Sequence, residues 1–340
     1  MMAEKVTSIQ VAKRAGVSQS AVSRVFTPGA SVSSKTAEKV RKAASELGYR
    51  PNVLARAMVS GKSRIIGLVV AYLENQFYPE AIEKLSNTLQ KHGYHVLIFM
   101  ASNKDEVTQT VIDELLDYQV DGIITASVSL SNDLTARCEA AGIPIVLFNR
   151  LQNDDRLSGV SSDNVAGGRK LADFLVAGGH ECIAHIAGWE GASTQRDREK
   201  GFLLGLAAGG KSLFARAGGN FHYDQAQEAT RSMFSGAERP DAVFVANDHM
   251  AFAVMDVLRF ELGLRIPEDV SVVGYDDVSL AAWPSYNLTT VRQPANRMVE
   301  ETVDVLLTRI EKPETPARRI AIDGPLIVRG SARIPKGYTS

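Results

Sequence analysis

The sequence predicts a multidomain chain: a small three-helix head, a short hinge, and a two-lobed α/β body built on parallel sheets. Three observations predict it. Apolar residues in the first fifty positions recur at three- and four-residue steps, the period of short helices that share one buried face. From residue 65 onward, continuous apolar runs bounded by Gly, Pro, Asn or Asp alternate with amphipathic stretches, as in parallel strands covered on both faces. Charge divides at the same boundary. Residues 1–64 hold twelve Lys or Arg against three Glu, a net +9, and the remainder holds 26 basic against 36 acidic residues, a net -10. A basic head on an acidic body points to a polyanion as partner of the head alone.

In residues 7–27, TSIQVAKRAGVSQSAVSRVFT, the apolar stripe is Ile9, Val11, Ala12, Ala15, Val17, Ala21, Val22 and Val25, and Gly16 interrupts it. Thr7 or Ser8 can cap the first helix and Ser18 the second, because a hydroxyl accepts N–H groups that a helix start leaves unpaired. Cap, helix, glycine turn, cap, helix is a helix-turn-helix. Its second helix turns Gln19, Ser20, Ser23 and Arg24 outward with no carboxylate among them, a face suited to base edges and phosphates in a major groove. After the loop TPGASV, Ser33 or Ser34 caps a third helix with Val40, Ala43, Ala44 and Leu47 inward, and Gly48 stops it. RPNVLARAMVSGKSR then reads as one or two helical turns and a linker, too short to be stable alone.

In the body, IIGLVVAYL (65–73), YHVLIFMAS (94–102), DGIITAS (121–127) and IPIVLFNR (143–150) read as strands with helical stretches between them. CIAHIAG (182–188), SLFARAG (212–218), DAVFVAN (241–247) and VSVVGYDD (270–277) repeat the pattern. The tail adds a helix, MVEETVDVLLTRIEK, and strands that can return to the first unit. The expected division is a head at 1–50, a hinge at 51–64, one lobe of 65–162 with about 291–320, and another of 163–290 with about 321–333. Ligands of open α/β sheets bind beyond the carboxyl ends of strands. The candidates there are Glu74 to Tyr78, Asn149, Arg150, Asp163, Asn164, Asn247, Asp248, Asp276 and Asp277, with Arg198 and Phe221 in comparable loops or helix starts. Arg150 beside Arg198 fits an anionic group on a ligand, or else pairs with Asp154, Asp155 or Asp163.

Other classes find little support. No G-x-x-x-x-G-K-[ST], H-E-x-x-H or G-x-S-x-G occurs, and the six His are scattered, so no enzyme, metal site or cofactor is expected. Cys138 and Cys182, the only cysteines, read as buried thiols of a reducing cytoplasm. No export signal and no membrane span of about 20 apolar residues is evident, which points to a cytoplasmic protein. The residues after Gly330 hold no leucine heptads, so a dimer is expected over a coiled-coil tetramer.

VAKRAGVSQSAVSRVF followed by VSSKTAEKVRKAASELGYRPNVLARAM resembles the DNA-binding head and hinge of the lactose-repressor (LacI/GalR) family of transcriptional regulators. The resemblance implies a homodimeric repressor on near-palindromic operator DNA. It also implies a periplasmic-binding-protein-like body that takes a small-molecule effector, a sugar or sugar derivative, between its lobes. Gln19, Ser20 and Arg24 match base-reading positions, Asn52 and Ala55 lie at hinge positions near the minor groove, and Met58 stands where an apolar wedge is expected. Thr7, Ser18, Ser23 and Lys35 are expected phosphate contacts. Arg198, Phe221, Asn247, Asp276 and Gln293 match effector contacts, Phe77 and Tyr78 match stacking positions, and Asn149 stands where other members place an Asp. The rival reading is a solute-binding protein or sugar-processing enzyme in which the body acts alone; the basic head and the missing catalytic motifs weigh against it.

Overall fold

The computed structural model describes residues 6–27, 30–50, 62–101, 105–128 and 131–337. The chain divides into two compact units, one up to Arg64 and one from Ile65 onward.

The first unit is built from α1 (Ser8–Ala15), α2 (Gln19–Val25) and α3 (Ser34–Leu47). Thr7 opens α1 with a reciprocal cap: its hydroxyl accepts the Gln10 N–H, and the Gln10 side chain accepts the Thr7 N–H at 2.8 Å. Gly16 ends α1 with φ of 66°, and Ser18 and Ser33 cap the next two helices. Val11, Ala12, Val22, Val40, Ala43 and Ala44 form the core. Ile9, expected on the buried face, is instead 62% exposed. The buried stripe of α1 centres on Val11, Ala12 and Ala15, and Ile9 in the first turn lies off its edge. The hinge positions Asn52, Ala55 and Met58 lie outside the described residues.

The second unit holds two six-stranded sheets. The first contains β1 (Ile65–Val70), β2 (His95–Met100), β3 (Gly122–Ala126), β4 (Ile145–Phe148), β5 (Ser158–Ser162) and β11 (Arg319–Ile322). They run parallel in the order β11-β5-β4-β3-β1-β2. The second contains β6 (Ile183–Ala187), β7 (Ala215–Gly218), β8 (Ala242–Val245), β9 (Ser271–Asp276), β10 (Thr289–Arg292) and β12 (Leu326–Ile327). Its order is β12-β10-β9-β8-β6-β7, with β12 alone antiparallel. The chain thus passes between the lobes after Ser162, Arg292 and Ile322. The later two crossings lie just beyond the expected ones, because pairing carries β10 to Arg292 opposite Asp276 and β11 to Ile322 opposite Ser162.

Helices cover both sheets. On the first lobe lie α4 (Phe77–Lys91), α5 (Asp105–Asp117), α6 (Asn132–Ala140) and the tail helix α11 (Ala295–Glu311), which packs on α4, β4 and β5. On the second lie α7 (Asn164–Ala177), α8 (Ser193–Ala208), α9 (Tyr223–Met233) and α10 (Asp248–Asp256). Among the described residues no helix is long and apolar enough to cross a membrane. Cys138 is buried as expected, whereas Cys182 is only half-buried, next to the amino end of β6.

Two close backbone approaches between helices position Arg198. A Cβ at Gly168 would lie 2.0 Å from the Arg198 carbonyl oxygen, and one at Gly201 would lie 2.0 Å from the Val165 carbonyl oxygen. The backbones of α7 and α8 therefore touch, which brings Arg198 on α8 against Asn164 at the start of α7. Gly201→Ala is expected to destabilise the body by about 1–3 kcal/mol, since backbone oxygen cannot swing aside as a side chain can. An unchanged urea midpoint would contradict this close approach.

Candidate functional site

Two surfaces carry the chemistry. On the head, Gln19, Ser20, Ser23, Arg24 and Lys35 are all exposed, as are Thr7 and Ser18. The Gln19 amide donates to the Ser8 hydroxyl at 3.0 Å, and Arg24 Nε donates to the Ser20 carbonyl at 3.4 Å, so both side chains lie along the start and face of α2. Neither α1 nor α2 has an acidic residue in its first turn, and Glu46 is paired with Arg14 at 2.8 Å. The hydroxyls of Thr7 and Ser18 serve as helix caps. The face thus presents donors and a cation to a polyanion without a competing carboxylate.

In the body, the carboxyl ends of the strands converge on Asp276. Its Oδ2 accepts from Asn75 Nδ2 at 3.0 Å, and its Oδ1 accepts from Gln293 Nε2 at 2.7 Å and from Arg198 Nη2 at 3.4 Å. Asn75 follows β1 and thus belongs to the first lobe, so this one carboxylate ties the lobes together. Asn75 Oδ1 also accepts the Phe77 N–H at 3.1 Å, which fixes the start of α4. Arg198 is 2% exposed and Asp276 is 3% exposed. The guanidinium is saturated on several sides: Nε donates to Asn164 Oδ1 at 2.9 Å, Nη1 donates to the Ala246 carbonyl at 2.7 Å, and its carbon lies 3.8 Å from the Tyr275 ring centroid.

Burial pushes the Asp276 carboxyl above the usual carboxylate range, and the neighbouring Arg198 charge opposes that rise. Asp248, wholly buried, goes further. Burial first, and then the Asp276 charge, push it up to about 8, although the Thr290 hydroxyl and the Val278 N–H both donate to it, at 2.7 and 3.1 Å.

Around this centre the first lobe supplies aromatic side chains. Tyr78 lies edge-on to Phe77 and to Tyr72, both at 5.4 Å, Phe77 stacks on Phe148 at 6.1 Å, and Asn149 Nδ2 donates to the Tyr78 hydroxyl at 3.1 Å. The second lobe supplies Phe221, whose ring lies against Gly188. Asp163 and Asn247 are drawn into helix starts, accepting from the Ala166 and Met250 N–H groups at 2.9 and 3.0 Å. Arg150 donates to the Ser127 carbonyl at 2.7 Å and lies over Trp189. The carboxylates considered for Arg150 are engaged elsewhere: Asp154 with Arg156, Asp155 with Arg319, and Asp163 as a cap. A cavity of about 410 Å³ opens on the Asp276–Gln293 side of this centre, lined by both lobes through Phe77, Asp276, Val278, Gln293, Pro294 and Arg297.

Two further features mark the cleft. Ser127, Asn149, Phe221, Asp276 and Asp277 all have positive φ, and each stands just beyond or at the end of a strand. Such backbone strain in L residues gathers where a site demands it. Ser127 Oγ, Asn149 Oδ1, Asn247 Nδ2 and Gln293 Oε1 are buried with no hydrogen-bond partner among the described residues. The strand-end candidates include the stretch Glu74 to Tyr78, which contains Asn75, but not Ser127, Trp189 or Tyr275. Trp189 follows β6 as Asn149 follows β4, so the same rule applied to β6 finds it. Tyr275 sits in an apolar run and carries no such signal.

A helix-turn-helix head joined in one chain to two α/β lobes with a polar cleft between them defines a ligand-responsive DNA-binding protein. The model of the bacterial regulatory proteins, lacI family, matches residues 9–52, and that of a periplasmic binding protein-like domain matches residues 172–332. The HTH-type transcriptional repressor PurR of Vibrio vulnificus (strain CMCP6) is 32% identical over 326 residues, covering 95% of this chain and 97% of that protein. The ribose operon repressor of Escherichia coli (strain K12) is 30% identical over 331 residues, covering 96% and 99%. Among solved structures, a lac repressor dimer bound to operator and the anti-inducer ONPF matches with a TM-score of 0.87 at 29% identity, covering 96% and 99%. A transcriptional regulator CelR–cellobiose complex matches with a TM-score of 0.73 at 31% identity, covering 96% and 100%. The chain belongs to the lacI family of bacterial regulatory proteins, and is a transcription regulator and not an enzyme.

The raised carboxyl of Asp248 gives the body a pH dependence of known sign. An unfolded Asp releases its proton near pH 3.9, whereas folded Asp248 keeps it until about 8, so the folded chain holds the extra proton in between. Stability attributable to this group therefore falls as pH rises through that window. Asp248→Asn is expected to shrink the drop in melting temperature between about pH 5 and about pH 8. Equal drops in both proteins would show that Asp248 titrates normally.

Proposed function

We propose that the protein is a cytoplasmic repressor that binds a near-palindromic operator as a homodimer and is controlled by a sugar or sugar derivative held between its lobes. The observation that carries this reading is the set of buried, partnerless amide and hydroxyl atoms around the Arg198–Asp276 pair. Neutral donors and acceptors at several strand ends suit a polyhydroxyl ligand, whose hydroxyls satisfy groups that otherwise cost about 1–3 kcal/mol each when left unpaired. Phe221 and Tyr78 supply apolar faces beside them. A CelR structure holding cellobiose and a lac repressor dimer holding operator and an anti-inducer support a DNA-binding, effector-controlled reading.

On the head, Gln19 and Arg24 read base edges in the major groove, with Ser20, Ser23 and Lys35 toward phosphates, and Thr7 and Ser18 at the helix starts beside them. Asn52, Ala55 and Met58 serve the minor groove, with Met58 as its apolar wedge. A second copy has a place to sit: Ile98 and Met100 on the edge strand β2 are 51% and 49% exposed, an apolar edge that a lone monomer leaves in water. In the cleft, Arg198, Asp276 and Gln293 orient the effector. Asn149, Asn247, Asp163 and Arg150 frame it, and Phe77, Tyr78 and Phe221 stack against it. Effector and operator must then change each other's affinity by the same factor.

The test is a duplex selected from a random library by the full-length protein, titrated with and without sugars, sugar acids, sugar phosphates and purines. Affinity is expected to fall by about a thousandfold or more between about 50 and 200 mM salt, and Gln19→Ala or Arg24→Ala to cost about 1–3 kcal/mol. An active sugar at about 100 times its Kd raises the melting temperature by roughly 2–4 °C. Absence of DNA binding even at low salt would refute the repressor reading, and a purine as the only hit would refute the sugar assignment.

A further inference from the structure

We propose that Arg150 and Trp189 form a latch across the mouth of the cleft, releasable where the Asp276 tie is not, and that this pair decides which effectors the lobes can close upon. The inference rests on the effector reading above. Arg150 follows β4 in the first lobe and Trp189 follows β6 in the second, so any contact between them joins the lobes. The guanidinium carbon lies 5.3 Å from the Trp189 ring centroid, within cation–π range. Each partner is positioned by its own lobe. Arg150 Nη1 is held by the Ser127 carbonyl at 2.7 Å. The indole lies on the backbone of Gly191, where a Cβ would come within 2.2 Å of the ring. The loop beneath is braced by Gln195, whose Oε1 accepts the Gly188 N–H at 2.6 Å and whose Nε2 donates to Glu199 at 2.8 Å. The next residue of the first lobe adds a second contact to the same segment, Leu151 N–H donating to the Ser193 hydroxyl at 2.9 Å.

The two lobe-to-lobe ties differ in what their opening exposes. In sheet order, β6 stands two strands from β9, so the latch and Asp276 hold different parts of the cleft. Parting the lobes at Asp276 takes the Asn75 donor from Oδ2 of a buried carboxylate, which keeps Gln293 and Arg198 on Oδ1 alone. Parting them at the latch wets one face of a half-buried indole, lets water reach the buried Arg150 guanidinium, which keeps its Ser127 bond within the first lobe, and exchanges the Leu151–Ser193 hydrogen bond for water, so no carboxylate loses a donor. An effector therefore enters past Trp189. One that fits beneath the indole lets the latch reseal over it, and one that protrudes holds the latch open.

The chain has two tryptophans, so full-length protein carrying Trp283→Phe reports on Trp189 alone. Trp283 is exposed and lies outside the cleft residues described above. Acrylamide quenching of that single indole is expected to rise roughly threefold on Arg150→Met, and less on Arg150→Lys, which keeps a cation over the ring. Gly191→Ala, acting from the other lobe by lifting the ring from its seat, is expected to raise quenching in the same direction. A quenching constant unchanged by Arg150→Met overturns the latch. The thermal-shift panel keeps the two readings apart: no shift with any sugar, alongside responsive quenching, removes the effector reading, whereas sugar shifts with unresponsive quenching remove only the latch.

Discussion

The body of this protein depends on a single carboxylate, Asp276, that three side chains from both lobes satisfy. Asn75 reaches it from the end of β1, Gln293 from the end of β10 and Arg198 from α8. A carboxylate this deeply buried persists in a fold only when its oxygens are fully occupied. The need to occupy them sets the lobes at a defined separation, aims the first turn of α4 through Asn75, and fixes the guanidinium of Arg198 over Tyr275. Burial first, and then the charge of Asp276 beside it, raise the carboxyl of the nearby Asp248.

Much of this geometry follows from backbone contacts far from the charge itself. Arg198 reaches Asn164 because α7 and α8 meet backbone to backbone, and they meet because Gly168 and Gly201 have no Cβ. Positive φ at Ser127, Asn149, Phe221, Asp276 and Asp277 then turns the chain sharply where each strand ends. Two lobes joined by crossing strands around one cleft suit closure around a ligand.

The organisation of the chain was largely legible in the sequence, for local reasons. Caps at Thr7, Ser18 and Ser33 and the glycine stop at Gly16 involve residues three or four apart, so spacing alone reveals them. Apolar runs ending in polar residues placed Asn149, Asn247 and Asp276 at strand ends. Ile9 escaped because a three-residue step from Ala12 looks like membership of the stripe, while the stripe's width is set by α3 packing against it. The partners in the cleft were not legible. Asn75 and Asp276 lie 201 residues apart, and nothing local to either names the other. Glycine within a helix carries no local mark of its contact, and Gly168 and Gly201 are points where α7 and α8 meet. Trp189 meets Arg150 only because β4 and β6 end on opposite sides of one cleft.

The most direct test of the claim that Asp276 ties the lobes is a double-mutant cycle between Asn75→Ala and Asp276→Ala, read from urea unfolding of the full-length protein. A hydrogen bond to a buried charge gives a coupling of about 1.5–3 kcal/mol, so the two losses are expected to fall short of adding by that amount. Losses that add to within about 0.5 kcal/mol would mean that Asn75 and Asp276 act independently, and that something other than this carboxylate holds the lobes together.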